Sequence, residues 1–292
     1  MSAPSDHELR WTPPGESGLI IHRSEFWGYN SIAIASENEV CAVDPGLTPE
    51  EIERFRSRLE EGDRRVTTVL LTHSHHDHIR GWMRFPGARI VAPAAVKAKE
   101  DGARTRILAG KSKFDQRMGV EDPGFTFPAV DETFEESMSL RVGELEVLAE
   151  FLPGHSNCTS LVTIPALGAL LSADYLVAPG LPYCRWEPAP FEAANRRIGE
   201  LVEEHGLELI VPAHNELLES RDAALAAIET EISYFQFLRA EVDACLGAGL
   251  NKDAILKRCS RAMTERRGVD LGPKARQDAD NARRILIELG EA

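Results

Sequence analysis

Four of the nine histidines fall between positions 73 and 78, in the run Thr72-His73-Ser74-His75-His76-Asp77-His78. Imidazole and carboxylate side chains packed this closely can hold metal ions. His73 and His75 stand two apart, so on a short extended turn both rings can reach one ion. Asp77 and His78 are adjacent and can serve a second ion from the opening turn of a following helix. Neutral imidazole combined with carboxylate suits Zn²⁺ first, with Fe or Mn as alternatives. A solvent-exposed or tag-like histidine tract would lack the embedded aspartate and would not follow a buried strand.

The strand that must position this run is Val66 to Leu71, apolar apart from two threonines. Loops at strand ends are where side chains converge on a point. Upstream, Leu19–Ile21, Ser31–Ala35 and Glu39–Val43 read as strands, and Asp44-Pro45-Gly46 breaks the last. Thr48-Pro49-Glu50-Glu51 opens a helix, with Thr48 as N-cap, Pro49 at the first helical position and Glu51 completing a capping box. Further strands are expected at Arg89–Val91, Ser139–Val142, Leu145–Phe151, Ser160–Ile164, Ala169–Ser172 and Leu209–Val211, with a helix over Pro190–His205. Strands and helices interleaved in this way predict a layered α/β sandwich. Asp101 to Pro128 has no clear periodicity and reads as a long excursion, a lid with one short helix. After His214, Leu225, Ile228, Ile232, Phe235, Leu238 and Val242 recur at helical spacing. Two more helices are expected at Lys252–Cys259 and Ala275–Leu289. Residues 1–220 are therefore read as a catalytic domain and 221–292 as a helical C-terminal region.

The chain has 292 residues, 43% apolar and 27% charged, enough for a large core without disulfide staples. Its five cysteines are scattered and contain no CxxC pair, so they read as free thiols in a reducing compartment. The polar N-terminus shows no apolar leader segment and no stretch is long enough to span a bilayer, so a cytoplasmic location is expected. A net charge of −14 repels phosphate backbones and disfavours nucleic acid as a partner. A small-molecule substrate is expected, with no membrane partner. The apolar stripe after residue 220 is compatible with a homodimer.

The run Thr72–His78 resembles the signature of the metallo-β-lactamase superfamily, and further motifs resemble that family's in the right order over roughly residues 18 to 220. Asp44 matches the first motif, Leu152-Pro153-Gly154-His155-Ser156 the third, Leu171-Ser172-Ala173-Asp174 the fourth and Val211-Pro212-Ala213-His214 the fifth. The resemblance implies an αββα metallo-β-lactamase sandwich with a C-terminal helical appendage. It implies one ion on His73, His75 and His155, and another on Asp77, His78 and His214. Asp174 would bridge them together with a water or hydroxide, and Asp44 would hydrogen-bond a ligand to fix its orientation. Two such ions acidify a shared water, and the hydroxide attacks a carbonyl or phosphoryl centre. Asp77 and Asp174 are the catalytic candidates.

Asp174 makes the pattern more similar to glyoxalase II-like thioesterases, esterases and lactonases than to the β-lactamases, although the family's glutathione-binding set is not matched here. Hydrolysis of a small thioester or ester, lactones included, is the expected activity. The alternatives are a phosphodiesterase or ribonuclease of the same fold and a mononuclear iron persulfide dioxygenase. Trp27, Tyr29, Tyr175, Tyr183 and Trp186 are candidate pocket residues, with Tyr175 foremost. Arg104, Arg106, Lys111, Lys113 and Arg117 form a local basic run, read as a solvated surface loop or a lid gripping an anionic tail. His7, His22, His76 and His205 are expected to take no ligand role.

Overall fold

The computed structural model describes residues 8–177 and 180–291. His7 lies outside the described residues. The fold is mixed α/β with two sheets, as the sequence predicts, and divides into two compact units. The first comprises residues up to 152, 158–173 and 211–215; the second comprises 153–157, 174–210 and 216 onward.

In the first unit, a seven-stranded sheet runs in sequence order: β1 (Glu8–Arg10), β2 (Gly18–Arg23), β3 (Asn30–Ala35), β4 (Glu39–Val43), β5 (Arg65–Leu70), β6 (Arg89–Pro93) and β7 (Glu132–Phe134). The β1–β4 pairs are antiparallel and the β4–β7 pairs parallel. Ile20, Ala33, Val40 and Ala42 face α1 (Pro49–Leu59), which contributes Ile52, Phe55 and Leu59. The alternate residues Leu19, Ile21, Ile32, Ile34, Cys41 and Val43 are buried too, so the sheet is covered on both faces. Each such large side chain contributes about 1.5–3 kcal/mol on burial. The second sheet has the order β12 (Leu209–Pro212), β11 (Ala169–Ala173), β10 (Ser160–Ile164), β9 (Leu145–Phe151), β8 (Ser137–Val142). Strands β1 and β7, only three residues each, are additions to the sequence reading.

The Thr48 capping box forms: the Thr48 hydroxyl accepts from the Glu51 N–H, and Glu51 accepts from the Thr48 N–H. Glu51 also accepts from the Ser24 hydroxyl and the Glu25 N–H, at 2.7 and 3.2 Å. One carboxylate thus ties the helix start to the turn between β2 and β3. Burial raises its pKa, but these hydrogen bonds outweigh burial and hold it below the ordinary value.

The segment read as an irregular lid is corrected by the structure. Residues Asp101–Met118 form an 18-residue helix, α3, after the short α2 (Ala94–Lys97). Its buried positions are Lys111 and Phe114, so no apolar stripe announces it. Lys111 pairs with Asp115 and Asp122 at 2.7 and 2.8 Å, Arg80 pairs with Asp115, and Arg84 with Asp122. Charge in this helix serves packing, and Lys111 has no freedom to reach a ligand. Lys111→Ala is expected to cost about 2 kcal/mol, because Arg80 and Arg84 still compensate the two carboxylates. Urea denaturation reads this; a solvated lid lysine would leave the midpoint unchanged.

The second unit holds α4 (Pro188–His205), α5 (Arg221–Gly247), α6 (Lys252–Arg267) and α7 (Arg276–Glu288). Of the six stripe residues on α5, Ile228, Phe235, Leu238 and Val242 are buried, and Leu225 and Ile232 are half-buried. Phe235 meets Phe191 of α4 with centroids 5.1 Å apart. Buried Asp278 of α7 accepts from Tyr234 at 2.9 Å and pairs with Arg267 at 2.7 Å. No helix among the described residues is long and apolar enough to cross a membrane. All five cysteines are free and buried.

Buried Glu231 of α5 accepts from the Leu176 N–H at 3.1 Å. Burial outweighs its hydrogen bonds and pushes its pKa up to about 7. The folded chain therefore binds more protons than the unfolded one between the ordinary carboxylate value and about 7. The penalty is absent below that window and full above it. Glu231→Gln is expected to stabilise the protein above pH 8 by up to about 3 kcal/mol and to leave it near wild type at pH 4. Melting curves at the two pH values check the sign.

Candidate metal centre

Parallel pairing of β4 and β5 places Val43 opposite Leu70. Their C-terminal ends are therefore side by side, and the loops leaving the two strands meet. Asp44 succeeds β4 in left-handed backbone, φ 45°. Its carboxylate accepts from the Thr72 N–H at 2.8 Å and from the Thr72 hydroxyl. It also stands 2.8 Å from Nδ1 of His78. A carboxylate in this position accepts, so Nδ1 of His78 carries the hydrogen and Nε2 offers its lone pair.

The same device recurs at two other histidines. In the first unit, Nδ1 of His214 faces the Trp27 carbonyl at 3.3 Å. In the second, Nδ1 of His155 faces the Tyr183 carbonyl at 2.6 Å. Carbonyls only accept, so each ring again presents Nε2. His214 Nε2 lies 3.4 Å from Oδ2 of Asp77, and His155 Nε2 lies 3.1 Å from Oδ2 of Asp174. His73 Nε2 approaches Nδ1 of His75 at 3.0 Å.

Within the first unit, the ligand atoms of Asp77, His78 and His214 all lie within 4.8 Å of one another, as do those of Asp44, His73 and His78. Asp44 is already engaged by Thr72 and His78, so it orients the cluster. The donors fit a divalent ion of Zn, Fe or Mn type: imidazole nitrogens with lone pairs exposed, and carboxylates beside them. Burial would raise the Asp77 carboxyl, but His78, His214 and His76 in their protonated forms outweigh it and hold its pKa well below the ordinary range. His76 is half-buried, its ring 5.8 Å from that of Trp27 and 6.1 Å from that of Phe114. Burial lowers its pKa.

Among the expected pocket aromatics, Trp27 is 42% exposed and meets Phe114 edge-on at 4.6 Å. Tyr183 and Trp186 are half-buried. Tyr29 and Tyr175 are enclosed instead. Tyr29 donates to the Asp44 carbonyl at 2.8 Å and sets its ring edge-on to His78 and His214. The Tyr175 hydroxyl accepts from the His155 N–H at 3.0 Å, and its ring packs 5.0 Å from Phe191. Both tyrosines therefore brace backbone, Tyr29 at Asp44 and Tyr175 at His155, and neither side chain is exposed. Gly154 is required by this packing: a Cβ there would stand 2.7 Å from the Tyr175 hydroxyl and from Phe191 backbone.

Sequence reasoning missed Arg80. It is wholly buried, donates to the Leu47 carbonyl and to Asp115, and lies 4.7 Å over the Phe114 ring. Arginine is mostly exposed in proteins, so nothing in the sequence marked it. Five non-glycine residues among those described adopt left-handed backbone: Trp27, Asp44, Ala173, Leu176 and Asn215. Trp27 and Asp44 orient histidines themselves, and the other three lie within two residues of Asp174 or His214. Such conformations cost of order 1–3 kcal/mol and persist where surrounding contacts fix them.

The sequence profile of the metallo-beta-lactamase superfamily matches residues 25–235. The chain belongs to this superfamily, whose members are metal-dependent hydrolases. No curated protein matches it. Among solved structures, the inverting sec-alkylsulfatase Pisa1 from Pseudomonas sp. aligns with a TM-score of 0.67 at 15% identity, covering 94% of this chain and 49% of that one. This chain thus spans about half the length of the alkylsulfatase. A metallo-beta-lactamase family protein from Thermus thermophilus aligns with a TM-score of 0.62 at 19% identity, covering 94% of each chain. An archaeal superfamily member from Sulfolobus tokodaii gives 0.56 at 15% identity over 75% of this chain and 86% of that one. These likenesses establish the fold.

Asp44→Ala removes the acceptor that fixes the His78 tautomer. Metal affinity is expected to fall about 10–100-fold, the usual effect of losing such an outer partner. Chelator competition at fixed pH measures it, with far-UV dichroism confirming the fold. Unchanged affinity would dismiss the orienting role.

Proposed function

We propose that this protein is a dinuclear metal-dependent hydrolase of a small thioester or ester, lactones included. In this reading His73, His75 and His155 would hold one ion and Asp77, His78 and His214 the other, with Asp174 serving both. The observation that carries it is the recurrent tethering of Nδ1, by Asp44, Trp27 and Tyr183, which leaves Nε2 of His78, His214 and His155 as ligand atoms. Asp174 Oδ2 beside Nε2 of His155 supports its sharing that ion.

Two bound divalent ions would supply Lewis acidity and a water acidified toward neutrality. The remaining work falls to the protein's own residues. Asp77, with Oδ2 facing Nε2 of His214, would accept the proton of the attacking water and return it to the leaving group. Asp44 and Thr72 hold His78 in one tautomer. Tyr175 fixes the backbone of His155, and Tyr29 fixes that of Asp44. No serine or cysteine nucleophile is needed, which agrees with the cysteines being buried. The carboxylate at Asp174 favours thioester and ester substrates over β-lactams, through the resemblance to glyoxalase II-like enzymes. Zn²⁺ is the first candidate ion and a cytoplasmic location the expected setting.

A second reading is hydrolysis of an alkyl sulfate ester. It is favoured by the alignment of 94% of this chain, helical region included, with the sec-alkylsulfatase.

Metal quantification on the purified protein, with a panel of thioester, lactone, alkyl sulfate and phosphodiester substrates, tests the proposal. Two divalent ions per chain and turnover of a thioester or lactone are expected. Asp174→Ala should lose one or both ions and abolish turnover with the fold intact. Two ions and full turnover in that variant would overturn the bridging role. One iron per chain with oxygen consumption would point to the dioxygenase chemistry instead. Salt-sensitive RNA binding would favour a nuclease.

A further inference from the structure

The helical unit contains a cavity of about 240 Å³ that the hydrolytic reading does not use. Its apolar walls are Leu176, Leu181 and Pro182, from the segment before α4, with Ala227 of α5 and Met263 of α6. Its polar lining comes chiefly from Glu231 and Tyr234 of α5 and Arg266 and Arg267 of α6.

Two of these polar groups are incompletely satisfied. Glu231 is 6% exposed, and its buried Oε2 meets no partner at full hydrogen-bond geometry among the described residues, although the Asn195 side chain and the Val177 N–H stand beside the carboxyl. Nε of Arg267 is likewise buried and unpartnered. A buried polar atom with no partner costs about 1–3 kcal/mol, and a ligand that supplies one recovers that cost. The Tyr234 hydroxyl, by contrast, is fully used, donating to Asp278 and accepting from Asn281 at 2.9 Å each.

The charges around the cavity select the ligand. Arg267 is neutralised by Asp278 in a two-pronged pair, at 3.0 and 2.7 Å. Arg266 is exposed and bonds only the carbonyl and hydroxyl of Ser233, so its charge is uncompensated by any carboxylate among the described residues. Burial pushes the Glu231 pKa up to about 7, so its carboxyl is readily protonated near neutrality, and a bound anion would favour the protonated form. The lining then has one excess positive charge at Arg266, a carboxylic O–H that can donate, and a guanidinium N–H that can donate. These match an anion with two acceptor oxygens. An ammonium could pair with Glu231 in its ionised form, but it would stand beside the Arg266 charge and leave the Arg267 Nε–H without an acceptor. The cavity is smaller than the roughly 300–1,000 Å³ typical of drug-sized ligands, which limits the apolar part to a short chain.

We infer that this cavity is a binding site for a small carboxylate with a short apolar tail. The carboxylate accepts from Oε2–H of Glu231 and from Nε–H of Arg267, near the Arg266 charge. The tail lies against Leu181, Pro182, Ala227 and Met263. The site is distinct from the metal ligands and does not depend on which ester the centre hydrolyses. It is joined to one of them through the chain: Glu231 Oε1 accepts from the N–H of Leu176, two residues beyond Asp174.

Calorimetric titration of the intact, as-isolated protein with hexanoate, hexan-1-ol and hexylamine near pH 6.5 tests the inference. One hexanoate per chain is expected, with the alcohol and the amine each at least tenfold weaker. Ala227→Trp, which fills the cavity, and Arg266→Glu, which reverses the rim charge on an exposed side chain, should each weaken hexanoate at least tenfold. If the tryptophan variant fails to fold, the Arg266 variant still decides. Hexanoate that binds both folded variants as tightly as wild type sits elsewhere, for instance on the metal ions, and overturns the proposal. Tighter binding of hexylamine or hexanol, or no hexanoate binding, also overturns it.

Discussion

An imidazole can offer a metal only one nitrogen at a time, and which one is decided by what the other nitrogen touches. At His78, His155 and His214 the answer is an acceptor on Nδ1: the Asp44 carboxylate, the Tyr183 carbonyl and the Trp27 carbonyl. The rest of the architecture can be understood as the means of supplying those acceptors. The β4–β5 parallel register delivers Asp44 beside the histidine run. The β2–β3 turn delivers the Trp27 carbonyl, and Glu51 pins that turn to α1. Carbonyls and carboxylates must point in directions that regular strands do not allow, which explains left-handed backbone at Trp27 and Asp44.

The two buried tyrosines extend the same logic by one step. Tyr29 and Tyr175 act on the backbone of Asp44 and His155 and touch aromatic neighbours. A phenol suits this because it fills space like an apolar residue while delivering one directional hydrogen bond. That combination is also why the sequence misled. An aromatic residue in a loop beside a histidine motif has the same composition whether it lines a pocket or props a ligand from behind. Only its burial separates the two.

Legibility followed the range of the signal. The histidine run was readable because its donors are adjacent in sequence, and the longer strands because their alternation or continuous apolar character is local. The Thr48 capping box was readable for the same reason. Strands β1 and β7 were not: three residues are too few to show periodicity, and pairing alone defines them. Helix α3 was missed because its inner face is made by Lys111 and Phe114, and its packing is carried by Arg80, Asp115 and Asp122. A pattern reader weighs apolar residues, so a helix fixed by buried ion pairs looks like a solvated segment. The Nδ1 acceptors at Trp27 and Tyr183 were illegible in principle, since every residue carries a carbonyl and only the fold selects which one is used.

Buried charge in this protein thus does two different kinds of work. Around Lys111 each carboxylate, Asp115 and Asp122, faces two cations, so the ionised forms persist and the helix is held in place. At Glu231 there is no matching cation on the carboxyl, and burial raises its pKa to about 7. A fold that needed only stability would have an apolar or amide group there, because a lone buried carboxyl is a standing cost above neutrality. Yet Glu231 anchors the Leu176 N–H in a left-handed turn just past Asp174 and leaves its second oxygen without a full hydrogen bond, beside the Asn195 side chain. The first oxygen would be equally served by glutamine. It is the second oxygen, able to donate or accept as its proton comes and goes, that an amide could not reproduce, and the proposed carboxylate site rests on that atom.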